Sequence, residues 1–217
     1  MASSSLQSWR KHRSERLDEL INLKKQAVGA TRGRKWGVGE FNQLFVLKLC
    51  AEFQGFARDL HLEATVAFRD RVHLDPDICN VVYNAMTLDL QLERANARPE
   101  SIKSDFKRLG IVDIRNTLVA HSSESGRRLE KLERMNTLRN GIAHQDTPKI
   151  EKSILWWNAG TGVTYDQVVI GGEVPTLTNR DLVQMRSALN GLAKSLDAVV
   201  RNQLVSLFPK ESPPWGA

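Results

Sequence analysis

Cysteine is scarce in this sequence. Only Cys50 and Cys79 occur among 217 residues, which excludes a disulfide scaffold and a Cys-rich zinc site. Both sit inside apolar helical patterns, so buried, reduced thiols are expected. Long apolar runs are missing too, since nothing approaches the roughly 18 residues of a membrane span. The opening MASSSLQSWRKHRSERLDEL lacks the apolar centre of a secretory leader. A cytoplasmic protein with no membrane association is the resulting expectation. No cluster with metal-ligand spacing is visible, and no metal or cofactor is expected.

Strand signals are equally sparse. They are confined to SILWWN, residues 153–158, and VTYDQVVI, residues 163–170, joined by AGTG. Alternating apolar residues around a glycine-containing loop predict a β-hairpin over about 153–172, with Trp156 or Trp157 anchoring it.

What remains is helical. With 41% hydrophobic and 26% charged residues, the chain has the balance of a folded globular protein. It is long enough for one core. Residues 1–210 read as a single mainly α domain, a helical bundle carrying the hairpin before its last helix, and 211–217 as a frayed tail.

The first helix is expected from a cap at Ser4 or Ser5 to Gly29, and a long central helix from Glu40 to about His73. Asp75 and Pro76 mark the start of a helix reaching Ala97. Pro99 opens a shorter one closed by Gly110, and Ile111 to His121 reads as a short helix or a turn. A helix from Arg127 to about His144 follows, ended by Pro148. Thr178 to Asp181 is a capping-box start for the last helix.

The formal net charge is +6, compatible with a polyanionic partner. Gly29 to Gly39 forms a glycine-rich loop with Arg32, Arg34 and Lys35. It lacks the spacing of a Walker loop or a dinucleotide fingerprint. It reads either as a basic linker or as a contact to the RNA backbone.

The most informative segment is LRNGIAHQD, Leu138 to Asp146. On a helical wheel Arg139 falls near the middle of the stripe formed by Leu129, Leu132, Met135 and Leu138. A guanidinium keeps its proton, so burial there demands a partner. Either a carboxylate from another helix supplies one, or the stripe faces a cleft or subunit interface that an anion enters. His144 reads as a helix C-terminal cation or as a general acid or base. Gly141, unfavourable inside a helix, leaves room for a second helix or a phosphate.

This run resembles the signature of the HEPN superfamily: arginine, a polar residue, three more positions, then histidine, here Arg139, Asn140 and His144. The surrounding helix order is similar as well, closest to stand-alone HEPN proteins of the RiboL-PSP type. The resemblance implies a helical protomer that forms a homodimer with the two motif helices at a shared cleft. It also implies a metal-independent endoribonuclease, in some relatives a toxin held by an antitoxin or a phage-defence effector. In others it implies a non-catalytic module that binds a nucleotide or a partner. In the catalytic reading His144 serves the 2′-hydroxyl or the leaving oxygen, Arg139 stabilises the phosphate, and Asn140 orients one of them. About 140° separates Arg139 from His144 on one helix, which favours a site completed by a second chain. A competing motif, one residue longer, comprises Arg115, Asn116 and His121.

Overall fold

The computed structural model describes residues 2–28, 37–159, 176–211 and 215. Among them the chain is helical, and no helix is long and apolar enough to cross a membrane.

Helix α1, Ser4–Ser8, is capped by the Ser3 hydroxyl, which accepts from the Leu6 N–H at 3.0 Å. A carboxylate from the body completes the cap. Glu63 accepts from the amides of Ser4 and Ser5 at 2.8 and 2.9 Å. The cap lies one residue before the expected pair.

The expected continuous first helix is interrupted by a π-helical turn at Trp9–Arg13, and α2 then runs Ser14–Val28. Trp9 and Leu17 are eight residues apart, about 80° off register on an ideal helix. One residue absorbed in the wide turn reduces that to about 20°, and both side chains reach the core at 2% and 1% exposure.

The central helix α3, Val38–Arg69, follows Gly37, whose φ of 81° is left-handed. Its buried face includes Phe45, Leu49, Phe53, Phe56 and Leu60. Trp9 packs on Phe53 and Phe56, with ring centroids 5.7 Å apart in each pair.

Helix α4, Pro76–Thr87, begins at the Asp75 cap but stops well before Ala97. Asp89 turns left-handed at φ 57°, and α5, Gln91–Arg94, starts anew. The reason lies in Leu90 and Leu92. Both are fully buried, which residues two apart cannot achieve on one face of a helix. Asp105 stabilises the break by accepting from the Gln91 and Leu92 amides at 2.9 and 2.8 Å. Asp105 belongs to α6, Pro99–Phe106, which a 3₁₀ turn extends to Leu109. The ambiguous stretch after Gly110 is a helix, α7, Ile114–His121, capped by Asp113.

Helix α8, Glu124–Ala143, carries the motif. It ends in a Schellman arrangement. The Asp146 N–H reaches the Gly141 carbonyl at 2.9 Å, the Gln145 N–H reaches that of Ile142 at 3.2 Å, and Gln145 has φ 54°. Asp146 then caps the next helix, its side chain accepting from the Lys149 N–H at 3.1 Å.

That helix, α9, Thr147–Ala159, corrects the expected hairpin: SILWWN is helical. Ile150, Ile154 and Trp157 fall at helical spacing i, i+4, i+7 and pack into or against the core. Pro148, in the first turn, is tolerated there and opens a helix rather than merely closing one. Trp157 is the buried indole, so one of the two proposed anchors does anchor the segment, on a helix. The second run, 163–170, and the loop before it lie outside the described residues.

Helix α10, Asn179–Leu207, starts with the expected capping box of Thr178 and Asp181. It packs on α3 and α8, and these three helices enclose the core. Trp215, in the segment expected to fray, joins that core at 9% exposure.

Candidate functional site

Two α8 residues, Arg139 and Asn140, and the helix C-cap His144 define the motif, and the structure gives each a different setting. Arg139 is half-buried in a groove of about 550 Å³ between α2, α3 and α8. Leu20, Leu23, Leu44 and Leu47 form its apolar walls, and Arg16, Lys48 and Glu19 its charged rim. Among the described residues no carboxylate pairs with Arg139. Its bond from Nη1 goes to the Asn140 side-chain oxygen at 3.1 Å.

The cations opposite are engaged elsewhere. Lys48 bonds Glu52 at 2.9 Å, with Arg13 and Arg16 at 2.7 and 3.4 Å from the same carboxylate. Burial pushes the Glu52 carboxyl up, but bonds from Lys48, Arg13 and Arg16 hold it below its ordinary value overall. Burial raises the Cys50 thiol to about 12, against the pull of the Arg139 charge. Cys50 is thus a packed thiol, not a nucleophile.

Asn140 has a structural duty as well. Its side-chain oxygen also accepts from Asn96 Nδ2 at 2.9 Å. One helical turn earlier, buried Asn136 donates to the Ala97 carbonyl at 3.1 Å. The two asparagines fasten the segment between α5 and α6 to α8. Asn96, Arg16 and Lys48 were not among the residues singled out by sequence. Asn96 gives no sequence signal, because its importance comes from a contact 44 positions away. Arg16 and Lys48 leave a weak one, as cations flanking apolar positions on two helices.

His144 is exposed and forms the C-cap of α8, its backbone N–H bonding the Asn140 carbonyl at 3.1 Å. It does not line the Arg139 groove. Within one chain the structure therefore brings Arg139 and Asn140 together and leaves His144 facing solvent. Gly141 is buried against α9, where an added Cβ would lie 3.1 Å from Ile150 Cγ1 and 3.3 Å from its backbone nitrogen. The close neighbour is a second helix of the same chain.

The competing motif is dispersed. Arg115 is exposed, and Asn116 serves the Asp113 cap through bonds of 3.1 and 2.7 Å. His121 borders a separate cavity between α7, α8 and α10. Arg32, Arg34 and Lys35 lie outside the described residues. Among the described residues no group of three or more His, Cys, Asp or Glu side chains gathers as metal ligands do.

Comparison with protein-family models, curated proteins and solved structures finds no match to this chain.

Proposed function

We propose that the protein is a HEPN-type, metal-independent endoribonuclease whose site forms across a homodimer from Arg139, Asn140 and His144. The observation that carries this reading is the state of Arg139: a half-buried guanidinium, oriented by Asn140, with no carboxylate partner among the described residues. Half-buried arginines ordinarily acquire an acid. One left without it is suited to an anion that arrives from solution, and a scissile phosphodiester is such an anion. Leu23 and Leu44 beside it are 55% and 49% exposed, an apolar rim that a second copy would cover.

The chemistry follows from RNA itself. The 2′-hydroxyl attacks phosphorus, the 5′-oxygen leaves, and a 2′,3′-cyclic phosphate forms. His144, free in solvent on one protomer, moves a proton at one of these oxygens. Arg139 stabilises the charge gathering on the phosphoryl oxygens. A toxin or phage-defence role, with an antitoxin as partner, is the biological setting this activity fits.

The divergence of His144 from the Arg139 groove favours a second reading, a non-catalytic module that binds nucleotide or a partner. Mixing subunits separates the two. Arg139→Ala and His144→Ala homodimers should each lose cleavage of labelled RNA by at least about 100-fold. If one site takes its arginine and histidine from different chains, the mixed dimer should recover part of the activity. Wild-type protein that binds RNA without cleaving it sustains the second reading and ends the first.

A further inference from the structure

Twice among the described residues, an arginine is seated over a helical glycine. At Gly55 on α3, an added Cβ would lie 2.5 Å from Arg13 Nη1, and that guanidinium is paired with Glu52 and Asp59 at 2.7 and 2.5 Å. At Gly191 on α10, an added Cβ would lie 2.5 Å from Arg128 Nε and 2.6 Å from its Cζ. Arg128 is also half-buried, yet among the described residues it has no ion pair or hydrogen bond.

The second seat opens on the cavity of about 520 Å³ between α7, α8 and α10. Around it stand Arg128, Lys194 and His121, with Ser122, Ser187 and Asn190. Among the described residues no carboxylate and no Phe, Tyr or Trp ring lines it. Lys194 and His121 likewise make no ion pair or hydrogen bond among the described residues. Asn190 is fixed end for end. The Trp9 indole N–H, a donor only, bonds Asn190 Oδ1 at 2.9 Å, leaving the NH₂ of that amide as the unused group. The cavity therefore combines two cations with further donors on the imidazole, the amide and the hydroxyls.

We propose that this cavity is a phosphate-binding site, taking free inorganic phosphate or the phosphate of a small monoester. Arg128 supplies a planar fork for two oxygens, which matches a tetrahedral oxyanion. Lys194 supplies a point charge, and Asn190 and the serine hydroxyls complete the donor set. No apolar side chain lines the cavity, so the organic part of any ester is polar and small. Arg128 precedes Arg139 by eleven positions on α8, about 16 Å along the axis. The site is therefore separate from the groove of the motif and independent of the nuclease reading.

The test is calorimetric titration of the full chain with inorganic phosphate and, in a parallel arm, with ribose 5-phosphate. Saturable binding below about 10 mM is expected in at least one arm. Equal affinity in the two arms identifies the free ion, and tighter ribose 5-phosphate binding identifies an ester. Arg128→Ala and Lys194→Ala should each weaken binding by about tenfold or more. Gly191→Ala keeps every charge but displaces the guanidinium, and should weaken it similarly. Thermal unfolding of each variant verifies that it is folded. Absence of saturable binding in both arms, or wild-type affinity in folded Arg128→Ala and Gly191→Ala, overturns the proposal.

Discussion

The side-chain oxygen of Asn140 accepts a hydrogen bond from the guanidinium of Arg139, its neighbour in sequence, at 3.1 Å. The same oxygen accepts from Asn96 at 2.9 Å. One atom thus orients the candidate phosphate ligand and ties down the segment between α5 and α6.

This shared oxygen makes Asn140→Asp informative. The substitution keeps both acceptor contacts but places a negative charge beside Arg139. The guanidinium would then be neutralised where it sits. Asn140→Asp is expected to fold normally and to lose RNA affinity and cleavage by at least about tenfold. Asn140→Ala frees Arg139 instead and removes the Asn96 bond, at a cost of about 1 kcal/mol in stability by urea denaturation. Wild-type cleavage by Asn140→Asp would show that Arg139 does not meet the phosphate.

Gln145 occupies the left-handed position that closes α8, at φ 54°. A side chain there costs about 1 kcal/mol relative to glycine. The greater freedom of glycine in the unfolded chain offsets part of that. Gln145→Gly should raise stability by about 0.5 kcal/mol, seen as a higher urea midpoint at unchanged slope. A lower midpoint would mean that the Gln145 side chain makes contacts that outweigh the backbone strain.

Much of the helical framework was legible because caps and apolar periodicity coincide. Asp75 with Pro76 opens α4, and the box of Thr178 and Asp181 opens α10. The departures have local physical causes. SILWWN has the composition of a strand, but the Asp146 cap and the spacing of Ile150, Ile154 and Trp157 impose a helix. The break before α5 depends on Asp105, fourteen positions beyond Gln91. Arg139 was identifiable as a cation on an apolar stripe. That Asn140, rather than an acid, would orient it depends on a rotamer that spacing does not encode.

Gly141 offers a graded test of the α8–α9 contact. Alanine gains about 1 kcal/mol in helix propensity but must fit a Cβ 3.1 Å from Ile150 Cγ1 and 3.3 Å from its nitrogen. These effects nearly cancel, so Gly141→Ala should remain within about 1 kcal/mol of wild type. Gly141→Val adds two methyl groups against the start of α9 and should cost at least about 2 kcal/mol by urea denaturation. A neutral valine would mean that α9 moves away freely.

His61 predicts how stability responds to acid. Its ring is fully buried; Nε2 lies 3.0 Å from the Asp105 carbonyl and donates to it, while buried Nδ1 has no partner. Burial lowers its pKa from 6.5 to about 4, despite the opposing charge of Asp105. Between those values the unfolded chain binds a proton that the folded chain refuses. Stability therefore falls as pH falls through this window, by up to about 3 kcal/mol. Asp197, raised by burial, acts in the opposite sense, its contribution diminishing as pH rises. Asp18 is lowered chiefly by its Arg186 bond, and Glu52 is lowered overall, so both lose their contributions as pH falls through their folded values. These groups are common to wild type and His61→Gln, whose amide can still donate to the Asp105 carbonyl. Urea denaturation of both proteins between about pH 7 and pH 4 isolates the histidine. The variant should lose about 3 kcal/mol less than wild type over that range. Superimposable pH profiles would show that His61 is protonated equally in the folded and unfolded chains.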